Sequence, residues 1–308
     1  MKKIILDCDP GQDDAVALAL AMAATNEIKL LGVTTVAGNV PLNLTQRNAR
    51  IMCEMCHRTD VKVYAGAEKP LENELVTAEH VHGKSGLDGI EIYEPSHPLE
   101  EKHAVDFIIE TCLAMEDNSL ILVPTGPLTN IGLAIEREPA ILPKIEEIVL
   151  MGGALKEGGN ITPSAEFNIY VDPEAAKLVF NSGIPLRAIG LDVATCTNLD
   201  KNQLYSLKNS SRKEANIVEK MVRYVESRGH ESYCVLIDSM AVAAVLEPSL
   251  IEIIDVRVGI ETKGELTLGQ TIADFRRHHA WEHLPEIKVA LKADYKRFID
   301  ILMENILR

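Results

Sequence analysis

The sequence predicts an α/β fold with a single domain, 1–308, around a mostly parallel, Rossmann-like central sheet with flanking helices. Three observations support this prediction. Apolar runs rich in β-branched residues alternate with segments of helical composition along most of the chain. Strands that alternate with helices of about 10–15 residues are typical of βαβ units. No internal repeat, low-complexity tract or linker interrupts this alternation.

The predicted strands are apolar runs, and the predicted helices separate them. The strands are KKIILD at 2–7, IKLLGVTTVAG at 28–38, VKVYAG at 61–66, LILVPTG at 120–126, IEEIVLMGG at 145–153 and LRAIGLDV at 186–193. The helices are predicted at 13–24, 42–57, 103–115, 127–138, 171–183, 213–229, 239–248 and 294–307.

The helix at 171–183 has clear start and stop signals. Asp172 is a capping residue, Pro173 suits the first turn, and Glu174 lies near the positive end of the helix dipole. Gly183 suits the end of the helix. These signals place the helix boundaries between two predicted strands.

Composition and charge exclude several classes of protein. The chain is 46% hydrophobic and 25% charged, which is ordinary for a globular domain, and its formal net charge is −15. An acidic chain is poorly suited to bind nucleic acid or an anionic membrane. The apolar run at the N-terminus ends at Asp7, too soon for a signal peptide, so we expect a cytoplasmic protein.

The strongest chemical signal is the acidic segment DCDPGQDD at 7–14. Asp7 and Asp9 have strand spacing and share one face, while Asp13 and Asp14 open the next helix. Helix capping would use one of these four carboxylates. Crowded carboxylates repel one another unless a cation lies among them, so the segment predicts a metal site.

Other acidic or phosphate-binding motifs fit less well. An EF-hand loop would need Gly where Gln12 stands and Glu where Leu18 stands. The haloacid-dehalogenase-like phosphatases place Thr or Val where Gly11 stands. The GKS at 83–85 lacks the upstream Gly of a P-loop, because Ala78 occupies that position.

Two less regular segments, 66–100 and 155–170, lie between predicted elements. Loops of this length in a compact domain are usually functional. Ligands of open α/β sheets bind outside the carboxyl ends of the strands. We therefore expect the site at the ends of the predicted strands, with these segments around it.

The acidic segment resembles the signature of the inosine-uridine-preferring nucleoside hydrolases. Further blocks resemble that family in the same order along about 240 residues. They are VTTVAGN at 33–39, VHGKSGLDG at 81–89, PTGPLTNIGLA at 124–134, MGG at 151–153, AEFNIYVDPEAA at 165–176, GLDV at 190–193 and DSMAVA at 238–243.

The resemblance implies a calcium-dependent hydrolase that cleaves ribonucleosides into free base and ribose. Asp9, Asp14, the backbone carbonyl of Thr125 and Asp238 match the family's Ca²⁺ ligands, and hard oxygen ligands suit that ion. Asp9 also matches the general base, and Asn39 matches a residue beside the attacking water.

The resemblance also implies how the sugar is bound and how the protein assembles. Five residues match the ribose-binding set: Asp13, Asn160, Glu166, Asn168 and Asp238. Their carboxylates and amides suit the hydroxyls of a diol. We expect a ribonucleoside substrate, a role in nucleoside salvage, and a homodimer or homotetramer.

One position departs from the family pattern. Many members carry His directly before the late Asp, where it helps to protonate the leaving base, but Ile237 stands there in this chain. The candidates for a replacement donor are His82, Tyr224, His230 and Tyr233. The histidine-rich segment 276–283 could instead help to close the pocket. Two alternatives follow: a purine-leaning or specialised hydrolase with another donor, or a nucleoside-binding protein with little turnover.

Overall fold

The computed structural model describes residues 1–194, 198–276 and 281–308. Within these residues ten strands form one sheet. The strands are β1 (Lys2–Cys8), β2 (Ile28–Thr35), β3 (Val63–Ala65), β4 (Leu99–Glu100), β5 (Leu120–Pro124), β6 (Ile145–Met151), β7 (Leu186–Ile189), β8 (Ile251–Ile260), β9 (Thr271–Ala273) and β10 (Glu286–Ala293).

The α-helices of the described residues cover both faces of this sheet. They are α1 (Gln12–Ala23), α2 (Leu42–Met55), α3 (Glu79–His82), α4 (Ala104–Leu113), α5 (Thr129–Arg137), α6 (Phe167–Val171), α7 (Pro173–Phe180), α8 (Leu191–Ala194), α9 (Lys201–Lys208), α10 (Lys213–Ser227), α11 (Ile237–Leu246) and α12 (Tyr295–Ile306). Short 3₁₀ helices occur at Pro139–Lys144, Ser232–Val235 and Pro248–Leu250.

The strand order is β4-β3-β2-β1-β5-β6-β7-β10-β8-β9. All neighbours from β4 to β10 pair in parallel, and β8 pairs antiparallel with both β10 and β9. The predicted α/β class and mostly parallel sheet are confirmed. Strands β8, β9 and β10 were not predicted from the sequence, because no α-helix separates these strands among the described residues and the alternation of strands and helices ends there.

Strand β1 lies at the switch point of this topology. The chain leaves β1 towards β2, β3 and β4, and then returns to pair β5 with the other edge of β1. Loops on the two sides of β1 therefore diverge and leave a crevice at the carboxyl ends of the strands. The segment DCDPGQDD follows directly from β1 into this crevice.

Helix α1 is a central helix of the core, which explains its apolar composition. All its residues from Gln12 to Met22 are buried, and a helix that is apolar around its circumference needs neighbours on every side. It packs between α10, α11 and α12. This packing brings the start of α1 beside the start of α11, where Asp238 lies.

The cap predicted for α7 is confirmed. The Asp172 side chain accepts a hydrogen bond from the backbone N–H of Ala175, and Pro173 is the first helical residue. Gly183 follows the helix with a φ of +79°, a conformation that favours glycine. Among the described residues, the helices are too short or too polar to span a membrane.

Candidate active site

A cavity of about 380 Å³ opens at the carboxyl ends of the central strands. Both irregular segments that the sequence singled out contribute to its wall. Its lining residues are Asp13, Asn39, Ala78, His80, Val81, His82, Thr125, Met151, Glu157, Gly158, Gly159, Asn160, Ile161, Glu166, Phe167, Asn168, Leu191, His230, Tyr233, Cys234, Ile237 and Asp238.

Asp9 lies behind the cavity wall and is completely buried. Its Oδ2 accepts a hydrogen bond from the backbone N–H of Asn39 at 2.6 Å. Its Oδ1 has no hydrogen-bond partner among the described residues. Gly38 and Gly126 flank this carboxylate so closely that a β-carbon would stand 2.1 Å from Oδ2 at Gly38 and 2.5 Å from Oδ1 at Gly126. Only glycine therefore leaves room for the Asp9 carboxylate.

Three buried carboxylates meet beside Asp9. One oxygen from each of Asp13, Asp14 and Asp238 lies within 4.8 Å of the other two. This is the described group of acidic side chains that could hold a metal ion, and below it is called the acidic cluster. The first two follow β1 and the third is in the first turn of α11. The packing of α1 against α11 thus brings together residues far apart in the chain.

Burial and mutual repulsion raise the pKa values of these carboxyl groups. Burial is the main cause for each, and it raises the pKa of Asp13 to about 6. Burial, with the charge of Asp13, raises the pKa of Asp14 to about 8. Burial and the same neighbouring charges raise the pKa values of Asp9 and Asp238 well above the ordinary range. A bound cation would offset both causes.

Asn39 and Thr125 join the carboxylates to neighbouring strands. The Asn39 side-chain amide donates to the Asp9 carbonyl at 3.2 Å and to Asp14 Oδ2 at 3.3 Å. The Thr125 hydroxyl donates to Asp14 Oδ1 at 2.7 Å. Asn39 follows β2 and Thr125 follows β5, so residues after both neighbours of β1 donate hydrogen bonds to the Asp14 carboxylate. The site is built at the switch point.

The predicted ribose-binding residues all line one cavity. Asn168 Nδ2 donates to the carbonyl oxygens of Thr125 at 2.8 Å and Met151 at 3.1 Å. The Glu166 carboxylate caps α6, because it accepts from the backbone N–H groups of Asn168 and Ile169. Asn160 is more exposed, and its Oδ1 accepts from the backbone N–H of Phe167 at 2.9 Å. Backbone contacts thus orient this polar wall.

Comparison with known proteins assigns the chain to a family. The sequence model of the inosine-uridine preferring nucleoside hydrolases matches residues 4–300. The chain belongs to this family.

Individual nucleoside hydrolases match almost the whole chain. The inosine-uridine preferring nucleoside hydrolase of Crithidia fasciculata is 41% identical over 313 residues, which cover 100% of this chain and 98% of that protein. The pyrimidine-specific ribonucleoside hydrolase RihA of Shewanella sp. strain ANA-3 is 40% identical over 310 residues, 99% of this chain and 96% of that protein. The purine-preferring ribonucleoside hydrolase from Gardnerella vaginalis has a structure with a TM-score of 0.90, at 33% identity, covering 99% and 98% of the two chains.

As a nucleoside hydrolase, this protein is an enzyme that acts on the N-glycosidic bond of ribonucleosides. The predicted family and enzyme class are confirmed. Its substrate is a small-molecule nucleoside. The cavity at the carboxyl ends of the central strands has both polar and apolar lining residues.

The residues proposed for the leaving-group side lie in different surroundings. His82, His230, Tyr233 and Ile237 line the cavity of this nucleoside hydrolase, whereas Tyr224 does not. The Tyr224 ring packs against Gly89, and its hydroxyl accepts a hydrogen bond from Arg228 at 2.8 Å.

The histidine-rich segment 276–283 is only partly described, because 277–280 lie outside the described residues. Arg276 pairs with Asp274, and Trp281 lies against Gly259 on β8. The described part of this segment does not line the cavity.

Sequence reasoning missed the residues that support Asp7 beneath the site. Asp7 Oδ1 accepts from the Thr34 hydroxyl at 2.6 Å and from Asn130 Nδ2 at 2.8 Å. Asn130 also donates to the Thr35 carbonyl and accepts from the backbone N–H of Ala67. These contacts join β1, β2, α5 and the end of β3. Threonine in a strand and asparagine in a helix give no signal of such contacts before the fold is known.

Proposed function

We propose that this nucleoside hydrolase uses Ca²⁺ and that Asp9 is the general base that takes a proton from the attacking water. The observation that carries the proposal is the buried Asp9 carboxylate, with Oδ2 hydrogen-bonded and Oδ1 without a partner among the described residues. A buried carboxylate oxygen of this kind calls for a ligand. It lies beside the acidic cluster at the end of β1.

The donor set fits a hard divalent cation. Carboxylate oxygens from Asp9, Asp14 and Asp238 and the carbonyl oxygen of Thr125 are the proposed ligands, and oxygen ligands of this kind suit Ca²⁺. The raised pKa values support this, since burial and the neighbouring carboxylates disfavour the anionic forms and a bound cation would favour them again. When bound, the ion would lower the pKa of a nearby water molecule and attract the sugar hydroxyls.

Asp13 meets the same group of carboxylates, although we assign it to the sugar. Its Oδ1 accepts from the backbone N–H of Asp14 at 3.1 Å, and its Oδ2 accepts no hydrogen bond among the described residues, which leaves that oxygen for a hydroxyl. Asp13→Asn separates the two roles. If Asp13 binds the sugar, the substitution should raise KM and change the metal affinity little. If Asp13 binds the metal, the substitution should weaken calcium binding itself.

The polar wall supports sugar binding with transition-state stabilisation. Asn168 and Glu166 are held by backbone contacts, so their positions are set before the substrate arrives. Hydrolysis of a glycosidic bond passes through an oxocarbenium-like transition state, whose positive charge nearby carboxylates stabilise. Asn39, hydrogen-bonded to both Asp9 and Asp14, would keep the base oriented towards the water.

The experiment is a reducing-sugar assay with a panel of purine and pyrimidine ribonucleosides, with and without a chelator and added Ca²⁺. We expect free base and ribose in equal amounts, loss of activity with the chelator and recovery with Ca²⁺. A phosphate ester in the same assay is the control for a phosphohydrolase. Binding of nucleosides without release of sugar would instead favour the nucleoside-binding alternative.

Assembly as a homodimer or homotetramer, cytoplasmic location and a role in nucleoside salvage stay predictions. Sedimentation velocity of the calcium-loaded protein measures the first. A sedimentation coefficient of a 33.9 kDa monomer across the micromolar range would contradict it.

A further inference from the structure

Gln12 links helix α1 to the cavity wall. It is the first residue of α1 and is 1% exposed. Its Nε2 donates to the carbonyl oxygens of His82 at 2.7 Å and Asp88 at 3.1 Å. Two carbonyl acceptors at one end of an amide identify that end as the amino group, because a carbonyl oxygen there would face two others. The opposite end is therefore Oε1, an acceptor.

This orientation assigns the hydrogen on the His82 ring. His82 Nδ1 lies 2.7 Å from Gln12 Oε1 and 3.8 Å from Asp13 Oδ1. Both neighbours are acceptors, so Nδ1 must carry a hydrogen. A neutral imidazole has one N–H, and its other nitrogen is an acceptor. In His82 that acceptor is Nε2, which makes no hydrogen bond within the described part of the chain.

The ring is neutral under ordinary conditions. His82 is 7% exposed, and burial lowers its pKa to about 4. Even an ordinary histidine, with a pKa of about 6.5, is mostly neutral at pH 8. His82 also lines the cavity. The cavity wall thus contains an imidazole whose free nitrogen accepts hydrogen bonds.

We propose that Gln12 is a positioning residue that holds His82 in the Nδ1–H form, so that Nε2 accepts a hydrogen bond from a donor group of the substrate. This proposal rests on the proposed function for the identity of the substrate. It removes His82 from the candidates for proton donor to the leaving base, because a neutral Nδ1–H ring has no proton on Nε2 to give.

The 2′- and 3′-hydroxyls are assigned above to Asp13, Asn168 and the cation, and two further groups of a ribonucleoside supply such a donor. One is the 5′-hydroxyl of the sugar, and the other is an N–H group of the base. Both present a hydrogen to a lone pair, whereas ring nitrogens and carbonyl oxygens of a base would repel it. The acceptor therefore discriminates between substrates by their donors, and the two sources can be separated with modified nucleosides.

The first test measures the form of the ring. Long-range ¹H–¹⁵N spectra of histidine-labelled, calcium-loaded protein at pH 8 report which ring nitrogen carries the hydrogen, and the signal missing in His82→Asn assigns His82. We expect Nδ1–H in the wild type and a shift towards Nε2–H in Gln12→Met. Gln46→Met is the matched control, because the hydrogen bonds of the Gln46 amide to described residues all lie within α2. An Nε2–H ring in the wild type would overturn the proposal, whatever Gln12→Met does to stability.

The second test measures the acceptor. In the wild type, kcat/KM should fall about 5- to 100-fold for either 5′-deoxyinosine or N1-methylinosine relative to inosine, the range expected when a buried polar group loses its partner. The same comparison in Gln12→Met should show a much smaller ratio for that substrate. Equal ratios in wild type and Gln12→Met for both nucleosides would refute the acceptor role.

Failure of the two proposals can be told apart. A protein that releases no sugar from any ribonucleoside contradicts the proposed function, and in that case the ring spectra and the dissociation constants of the same three nucleosides still test Gln12. An active enzyme with an Nε2–H ring contradicts the role of Gln12 and leaves the proposed function intact.

Discussion

The floor and the rim of the cavity are built differently. The floor comprises Asp9 and the acidic cluster, which are buried and held by hydrogen bonds from the ends of β2 and β5. The rim includes three exposed residues: His80 lies in the short helix α3, and Glu157 and His230 lie on segments between strands and helices. The proposed catalytic groups thus have fixed positions at the strand ends and in the first turns of α1 and α11, as reactions that depend on precise geometry require.

Among the substitutions considered, the largest loss of activity is expected at Asp9, on the floor of the cavity. Asp9→Ala would remove the proposed base together with one metal ligand. The loss of one general base typically lowers the rate by about 10²–10⁴-fold, and the loss of the ion would lower it further. We expect kcat to fall far more than the binding of substrate weakens. Single-turnover kinetics and direct nucleoside binding measure the two effects, and an unchanged kcat would exclude Asp9 as the base.

The Asp14 carboxylate should stabilise the calcium-loaded protein and destabilise the metal-free protein at pH 8. The pKa of Asp14 is about 8 in the folded, metal-free protein and about 3.9 when unfolded. The folded state therefore binds the proton more tightly, and the contribution of Asp14 to the free energy of unfolding falls as pH rises from about 4 to about 8.

The measurement compares Asp14→Asn with the wild type in urea at pH 5 and pH 8. Without metal, the variant should gain stability relative to the wild type as pH rises. With saturating Ca²⁺ at pH 8, the wild type should be the more stable protein, because ligand binding stabilises the folded state. If calcium stabilises both proteins equally, Asp14 is not a ligand.

The proposed ribose-binding residues predict that the enzyme strongly requires the ribose hydroxyls. Asp13, Asn168 and the cation would lose partners with a 2′- or 3′-deoxynucleoside, and unpaired polar groups in a site built for a hydroxyl lower specificity by orders of magnitude. We expect kcat/KM to fall at least about 10²-fold relative to the ribonucleoside with the same base. Deoxynucleosides that are cleaved as fast as ribonucleosides would contradict the assignment of Asp13 and Asn168 to the sugar.

A gain of function should be possible beside Asp238. Ile237 lines the cavity but cannot give a proton to the departing base. Ile237→His should raise turnover of natural nucleosides by at most about 10²-fold and change that of p-nitrophenyl riboside little, because its leaving group needs no proton. The ratio of the two rates is the measurement. An unchanged ratio, with calcium binding intact, would show that another donor already serves the base.

The smallest effect is expected at Tyr224. Its hydroxyl is bonded to Arg228 and its side chain lies outside the cavity lining. Tyr224→Phe should therefore leave kcat within about threefold of wild type and cost about 1 kcal/mol of stability, the value of one hydrogen bond. Tyr233→Phe is the matched variant, since Tyr233 lines the cavity. A large loss of kcat in Tyr224→Phe but not in Tyr233→Phe would contradict the placement of Tyr224 outside the site.

The sequence predicted the floor better than the rim for a physical reason. The segment 7–14 is contiguous, and its strand, turn and helix place Asp9, Asp13 and Asp14 at the same end of β1 by local geometry, with Asp7 beneath them. The sheet class followed in the same way from alternating strands and helices. The strand predicted at 28–38 was too long at its end, because the chain turns after Thr35 to bring the Asn39 N–H to Asp9.

Contacts between distant parts of the chain could not be predicted. Asn130 joins residues from three neighbouring strand ends, and Gln12 reaches His82 across 70 positions. Neither contact has a spacing signal, because both depend on how the loops pack once the sheet has formed. The strands β8, β9 and β10 were missed for a similar reason: β8 pairs with β10, which follows it in the chain, and β9 pairs only with β8 among the described strands.

The place of Asp238 in the chain has a consequence for biosynthesis. A ribosome adds Asp238 more than 200 residues after Asp9 and Asp14. At about 5–20 residues per second, the nascent chain spends roughly 10 to 45 s with its first carboxylates made and their partner on α11 absent. The acidic cluster therefore cannot assemble until synthesis has passed Asp238. Every polypeptide released before Asp238 carries the repulsion of this site without the residue that completes it.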